Sequence, residues 1–237
     1  MSAQAVTARG GDQIIPTPPG ARPGRPAPWA GLSPAERSID VERIREAFAT
    51  GPPPVRSPAE AAGARASAVL AACFDEGDGA SVVLTRRARH LRSHRGEVAF
   101  PGGGREGDES LWATALREAW EEVSLDPRAV EPVGELDHLS TVTSRAFIVP
   151  FVGALPAPPA RLEPDPAEVD RVLVVPFAEL LLDGVYREEL WRWGDEHERP
   201  IHFFELHGDT VWGATAAMLR SFLVRALGLP RDDRMPI

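Results

Sequence analysis

The sequence predicts an α/β protein, α+β in the order of its elements, with a mixed β-sheet sandwiched between helices. Three observations predict it. The apolar runs SAVLAAC (Ser67–Cys73) and SVVLTR (Ser81–Arg86) flank the turn-rich DEGDGA and read as two strands. Leu111, Ala115, Ala119 and Val123 recur at helical spacing, so 111–123 reads as a helix with one apolar side. Farther along, strand and helix patterns interleave without the repeated unit of a barrel or solenoid.

Taken in order, residues 1–32 are dominated by Pro, Gly, Ala and Arg, offer little apolar surface to bury, and are expected to form a disordered tail. Ser33-Pro34-Ala35-Glu36 supplies an N-cap, a proline at the first helical position and a glutamate at the third. A short helix to about Phe48 is expected there, stopped before Gly51-Pro52-Pro53-Pro54, so that 33–65 is a helix plus a proline-rich linker. The folded domain is expected over 66–230, with 231–237 a C-terminal tail. Gly96–Phe100 reads as a short strand entering the glycine loop 101–104. Strands are further expected at 131–140, 145–153, 170–175, 201–206 and 209–212, and helices at 176–182 and 214–227.

The totals exclude several classes. A chain of 237 residues holds one well-buried domain plus tails. A formal net charge of -9 argues against a broad nucleic-acid surface, which needs a basic field, but not against a small anionic substrate met by a cation or local arginines. Every basic side chain other than His is Arg; there is no Lys. The single cysteine, Cys73, excludes an intramolecular disulfide and a cysteine zinc cage, and reads as a buried strand residue. No signal-peptide core is visible and no apolar run approaches the ~20 residues of a membrane span. The expected setting is cytoplasmic and soluble, with no membrane partner.

The segment Arg117-Glu118-Ala119-Trp120-Glu121-Glu122-Val123-Ser124-Leu125 concentrates acids on little more than one helical turn. Positions i, i+3 and i+4 share a face, so Glu118, Glu121 and Glu122 project together and repel one another. Alone, such a run reads as a solvated face. The preceding Pro101-Gly102-Gly103-Gly104 adds a loop whose backbone can approach a metal or phosphate closely. A hard divalent cation binding through few carboxylates plus substrate phosphate would turn the repulsion into a gain.

Gly103, then Glu109 after five residues, then Arg117-Glu118 after seven, with Glu121, Glu122 and Leu125 following, resembles the Nudix box G-x5-E-x7-R-E-U-x-E-E-x-G-U. The departures are Ala119 at an aliphatic position and Ser124 where glycine is usual. Glycine there suits a left-handed helix end, so Ser124 must bear a conformational cost or end the helix differently. The resemblance implies a hydrolase of nucleoside diphosphates linked to another group. It implies Mg2+ or Mn2+ held by Glu118, Glu121 and Glu122 with the Gly102 carbonyl, and Glu109 and Arg117 pairing to hold the loop against the helix. Glu118 or another carboxylate would polarise the attacking water. Glu168 is a further candidate ligand or base from a distant loop, with Asp165 and Asp170 competing for that role.

Upstream, Val83-Leu84-Thr85-Arg86-Arg87 and Leu91 through Gly103 (LRSHRGEVAFPGG) resemble the coenzyme A diphosphatase branch, with Arg87 where that branch has Ser or Ala. Pro164–Val169 and Trp212–Ala216 are also similar to segments of it. This implies cleavage of CoA or acyl-CoA, a CoA-type small-molecule nucleotide, into 3',5'-ADP and a 4'-phosphopantetheine moiety. Arg86, Arg89, Arg92, His94, Arg95 and Gly103 are the candidate substrate contacts, Arg being suited to phosphate oxygens; the alternative is a set of solvated arginines. Other Nudix substrates (ADP-ribose, NADH, a nucleoside triphosphate) and a non-catalytic binding module stay open, and a homodimer is compatible. His90 and His94, four apart, lack a third ligand for zinc. Trp112 and Trp120 are expected to pack, as is Trp212 at a strand-to-helix junction.

Overall fold

The computed structural model describes residues 9–61, 63–141, 146–192 and 197–231. In chain order the elements are β1 (Gly10–Gly11), β2 (Arg22–Pro23), α1 (Val41–Thr50), α2 (Pro58–Ala61), β3 (Arg65–Glu76), β4 (Gly79–Arg87), β5 (Val98–Ala99) and β6 (Gly102–Gly104). They continue with α3 (Leu111–Val123), β7 (Glu131–Glu135), β8 (Leu139–Thr141), β9 (Ala146–Ala154), β10 (Val169–Pro176), α4 (Phe177–Leu180), β11 (Tyr186–Trp191), β12 (Arg199–Trp212) and α5 (Gly213–Ala226).

The two apolar runs form the hairpin β3–β4, closed at Glu76↔Gly79, at the centre of a mixed sheet ordered β10-β4-β3-β9-β7. β3 and β9 run parallel, from Arg65↔Ala146 to Cys73↔Ala154, and the neighbouring pairs are antiparallel. Side chains alternate along each strand and so define the layers. Leu70, Ala72, Phe74 and Val83 face α3 through Ala115, Ala119 and Val123. Ala71, Cys73, Val82 and Leu84 face the opposite way, into a larger core with Ile44 and Phe48 of α1 and Phe222 and Leu223 of α5. Each buried Leu or Phe contributes roughly 1.5–3 kcal/mol of apolar burial. A second sheet, β1-β12-β11-β2, closes that side. Cys73 is buried, and burial pushes its thiol pKa well up, as suits an inert core residue. Among the described residues no helix is long and apolar enough to cross a membrane.

Several expectations are corrected. The segment 9–32 is not a disordered tail: β1 adds parallel to β12 at Gly10↔His207, β2 adds antiparallel to β11, and Trp29 is buried against Tyr186 and Phe204. Composition measures apolar content, whereas this segment is held by two short pairings at sheet edges and by one buried tryptophan. Residues 1–8 and 232–237 lie outside the described residues. Ser33 and Glu36 do form the reciprocal capping contacts, with Ser33 N donating to Glu36 at 2.8 Å, but they close a turn; the helix begins at Val41, capped by Asp40 Oδ1 accepting from Arg43 N at 2.7 Å. The linker is tied down, Val55 N donating to Asp137 and Val55 O accepting from His138 N. The expected strand 131–140 is two, β7 and β8, broken by Leu136–His138, while 201–206 and 209–212 are one long strand, β12, that continues through Gly208 at φ +77°. β11, with charged residues along it, carried no strand pattern strong enough to be anticipated.

Candidate active site

Helix α3 positions the acidic cluster. Ser110 caps its start by accepting from Ala113 N, and its apolar side packs on the sheet. The alanines at 115 and 119, both buried, let the helix axis approach closely, which accounts for Ala119 at a position where a bulkier residue is common. The i, i+4 pair Glu118 and Glu122 is thereby directed at β6, whose glycines pair with β3 at Val69↔Gly102 and Ala68↔Gly103. A Cβ on Gly102 would lie 2.4 Å from the Ala68 carbonyl oxygen, and one on Gly103 would lie 2.4 Å from the Glu118 carboxylate. Glycine is required at 102, where the obstacle is backbone, while at 103 a side chain would displace the Glu118 carboxylate.

The cluster is electrostatically unfinished. Glu122 is 4% exposed and accepts from Gly102 N at 3.2 Å. Burial pushes its carboxyl up to about 7, against the Gly102 amide and the nearby Arg87 guanidinium, with Glu118 and Glu168 adding repulsion. Glu118 is also raised by burial, Arg117 opposing and Glu121 and Glu168 reinforcing. Glu121 is exposed and turned to Arg117 Nη1 at 2.8 Å. Arg117 binds Glu109 through Nε and Nη2 at 3.3 and 3.0 Å, contacts Glu118 at 3.1 Å and donates to the Gly104 carbonyl at 3.1 Å. Glu109 also accepts from Thr114 Oγ1 and from Glu106 N, and its pKa is held at about 2, chiefly by Arg117. The loop 104–109 is thus clamped to the helix.

Among the described residues, no three His, Cys, Asp or Glu side chains converge closely enough to cage an ion unaided. The donor chemistry nevertheless fits Mg2+ or Mn2+. Two carboxylates are raised chiefly by burial, Glu118 adding to the rise at Glu122 and Glu168 to both, and such cations complete their coordination with waters and substrate phosphate. Glu168 is brought to the cluster because its segment is tied to the end of α3: Glu163 N donates to Val123 O, and Asp165 N to Glu122 O. Of its competitors, Asp165 closes the turn by accepting from Ala167 N, and Asp170 faces Arg86 at 3.9 Å.

The NUDIX domain family matches residues 64–197, more than half of the chain. The chain belongs to the Nudix hydrolase family. It is 42% identical over 147 residues to the uncharacterized Nudix hydrolase NudL of Salmonella paratyphi B, covering 61% of this chain and 74% of that protein, and equally so to NudL of Salmonella newport. Among solved structures it resembles a MutT/nudix family protein from Enterococcus faecalis, at 16% identity and a TM-score of 0.47, covering 80% of each chain.

Outside the Nudix box, the structure divides the candidate substrate residues. Arg86 and Arg87 alternate on β4. Arg87 lies on the α3 side, its Nη1 3.9 Å from Glu122 Oε1. Arg86 lies on the other side, 5% exposed, bonded to Asp209 at 3.0 Å and paired with Asp12, which also pairs with Arg89. Arg86 is therefore engaged with Asp12 and Asp209 and is not a free phosphate contact, a correction with a plain cause: buried guanidinium needs carboxylate. Arg89 is exposed and pairs with Asp12 at the surface, which leaves its guanidinium within reach of solvent. Arg92, His94 and Arg95 remain exposed on the loop between β4 and β5, His94 with φ 53° and Nδ1 3.0 Å from Glu97. His90 contacts the Ala167 carbonyl at 3.0 Å, consistent with a loop role. Trp112 packs edge-on against Phe151, but Trp120 is 53% exposed, contrary to the packing expected of it. Arg87 and the N-terminal Asp12 and Gln13 were missed. In the sequence Arg87 stands out only as a departure from the branch pattern, and strand alternation next to Arg86 is the signal that separates the two.

Proposed function

We propose that this Nudix hydrolase cleaves the diphosphate of coenzyme A or acyl-CoA to 3',5'-ADP and 4'-phosphopantetheine or its acyl form. The observation that carries the hydrolytic reading is the pair Glu118 and Glu122, half-buried and buried, aimed at the glycine strand β6, with Glu168 near enough to repel both. The CoA half rests on LRSHRGEVAFPGG, and is supported by Arg92, His94 and Arg95 standing exposed just before that strand.

Glu118 and Glu122, with Glu121, Glu168 and the Gly102 carbonyl, would hold Mg2+ or Mn2+, which when bound acidifies a water and offsets charge on the bridging oxygens. In the reaction a water oxygen attacks one phosphorus, the bridging P–O bond breaks, and one water proton passes to a cluster carboxylate, Glu118 in this reading. Arg87 adds a fixed positive charge next to Glu122, and Arg117 with Glu109 keeps the glycine strand and helix in register. Arg92, His94 and Arg95 meet the phosphates of the CoA nucleotide.

The test is a chromatographic panel with Mg2+ or Mn2+. Release of 3',5'-ADP from CoA faster than AMP from ADP-ribose is expected. Faster ADP-ribose, NADH or nucleoside triphosphate cleavage would keep the chemistry and reject the substrate. No turnover of any diphosphate by folded protein would reject the hydrolytic reading in favour of a binding module.

A further inference from the structure

We propose that residues 9–13 are a strap that positions the loop between β4 and β5 for substrate, with Gln13 and Asp12 as the positioning residues; the inference rests on the reading of that loop as the substrate contact. The amide of Gln13 is used on both sides. Its Nε2 donates to the Gly96 carbonyl at 3.1 Å and to Asp209 Oδ1 at 2.9 Å, and its Oε1 accepts from Thr210 N at 2.9 Å. One side chain thus joins the end of the 88–97 loop to β12. Asp12 grips the start of the same loop, one carboxylate oxygen on Arg89 and the other on Arg86. The strap is itself seated firmly: Gly11 N donates to Thr210 Oγ1 at 3.1 Å, and Arg9 Nη1 donates to the Glu205 carbonyl at 3.2 Å. A Cβ on Gly11 would lie 2.6 Å from Asp209 Cα, so the backbone lies directly on β12 and admits no side chain.

On its other flank the loop is tied to the segment before β10, where Ala88 N donates to the Glu168 carbonyl at 2.8 Å and His90 contacts the Ala167 carbonyl at 3.0 Å. It is short of buried side chains, and Arg92, Ser93, His94 and Arg95 are exposed. Within it, Gly96 N donates to Arg87 O, Glu97 N to His94 O, and Leu91 N to Ala88 O. These contacts shape the loop locally, while Gln13 and Asp12 fix it against β12 at its two ends. A loop held at both ends in advance binds with less ordering cost than one ordered by its ligand. The strap therefore acts on substrate affinity and leaves the carboxylate cluster on α3 untouched. Arg86 and Asp209 belong to the same polar network, so the strap also neutralises a guanidinium that the sheet has buried.

The experiment uses the full chain with Gln13→Ala, Asp12→Asn, Asp12→Glu and Gly11→Val. It reads both tryptic cleavage of native protein after Arg89, Arg92 and Arg95, by mass spectrometry, and KM against kcat on whichever diphosphate the wild type cleaves. Gln13→Ala and Asp12→Asn are expected to raise KM and loop cleavage about five- to tenfold each, the scale of one or two polar contacts, with kcat within about twofold. Asp12→Glu, which keeps the carboxylate, returns both readouts toward wild type. Gly11→Val, which lifts the backbone, reproduces the effect even if the loss of the Gln13 amide is compensated locally. Unchanged cleavage overturns the strap. Faster cleavage with unchanged KM overturns its role in substrate positioning. A parallel fall in kcat and melting temperature overturns it in favour of general stability. If wild-type protein cleaves no diphosphate, the functional reading fails separately, and the proteolysis decides whether 9–13 holds the loop.

Discussion

The Gly102 amide donates to Glu122 Oε2 at 3.2 Å, joining the glycine strand to a carboxylate that is almost wholly buried on α3. A Glu122→Gln variant keeps a similar shape and removes the charge. Turnover is expected to fall at least ~10²-fold, as on losing a charge-stabilising group, and Glu121→Gln should fall comparably if it swings from Arg117 to the cation. Metal-free Glu122→Gln should melt no lower than wild type at pH 8, because the amide leaves no ionised group to bury. Steady-state kinetics and calorimetry check both; near-normal turnover would reject Glu122 as a ligand.

Glu109 and Arg117 set an acid limit. The carboxyl is held at about 2, below its ordinary 4.5, chiefly by the guanidinium. A depressed carboxyl stabilises the fold above its unfolded pKa and loses that contribution as pH falls toward the folded value. The melting-temperature gap between wild type and Glu109→Gln is expected to be full at pH 6 and to close between about pH 4.5 and pH 2. A gap that stays constant over that window would show that the ion pair does not carry it.

Ser124 ends α3 in the left-handed region at φ 57°, ψ 29°, with Ser124 N donating to Trp120 O and Leu125 N to Ala119 O. The serine bears the conformational cost that glycine would avoid. Ser124→Gly is expected to stabilise by about 1 kcal/mol, raising the melting temperature by roughly 2–4 °C. A lower melting temperature would mean that the serine side chain contributes more than its backbone costs.

Arg86 and Arg95 should separate stability from binding. Arg86→Ala leaves buried Asp209 with Arg171 as its remaining guanidinium, so a loss on the order of 3 kcal/mol is expected. Arg95→Ala, on the exposed loop, should leave the melting temperature alone and raise KM. Denaturant titration alongside kinetics distinguishes them, and an unchanged KM in Arg95→Ala would remove it from the substrate contacts.

The acidic helix was legible because its information is local. The i, i+4 spacing of Glu118 and Glu122 and the apolar spacing of Leu111 to Val123 follow from helix geometry alone, as does the backbone problem posed by Ser124. The arginines were not legible in the same way. Arg86 and Arg87 are adjacent and chemically identical, and strand alternation says that they part, but which one meets Glu122 depends on which side of β4 receives α3. Glu168 reached the cluster through backbone bonds from Glu163 and Asp165 to the end of α3, contacts between distant segments that no local pattern encodes.

Periodicity was enough to specify the acidic helix face and the hairpin beneath, and the glycines marked a close backbone approach, which the fold makes as strand β6 where a loop was expected. Which charges were left for substrate depended on the folded arrangement. Burial forced Arg86 onto Asp12 and Asp209, edge pairing recruited a proline-rich segment with little apolar surface of its own, and the resulting strap fixed the loop that carries Arg92, His94 and Arg95. The physical reason is that a buried ion and an open sheet edge both demand partners, and the chain supplies them from wherever folding brings it near.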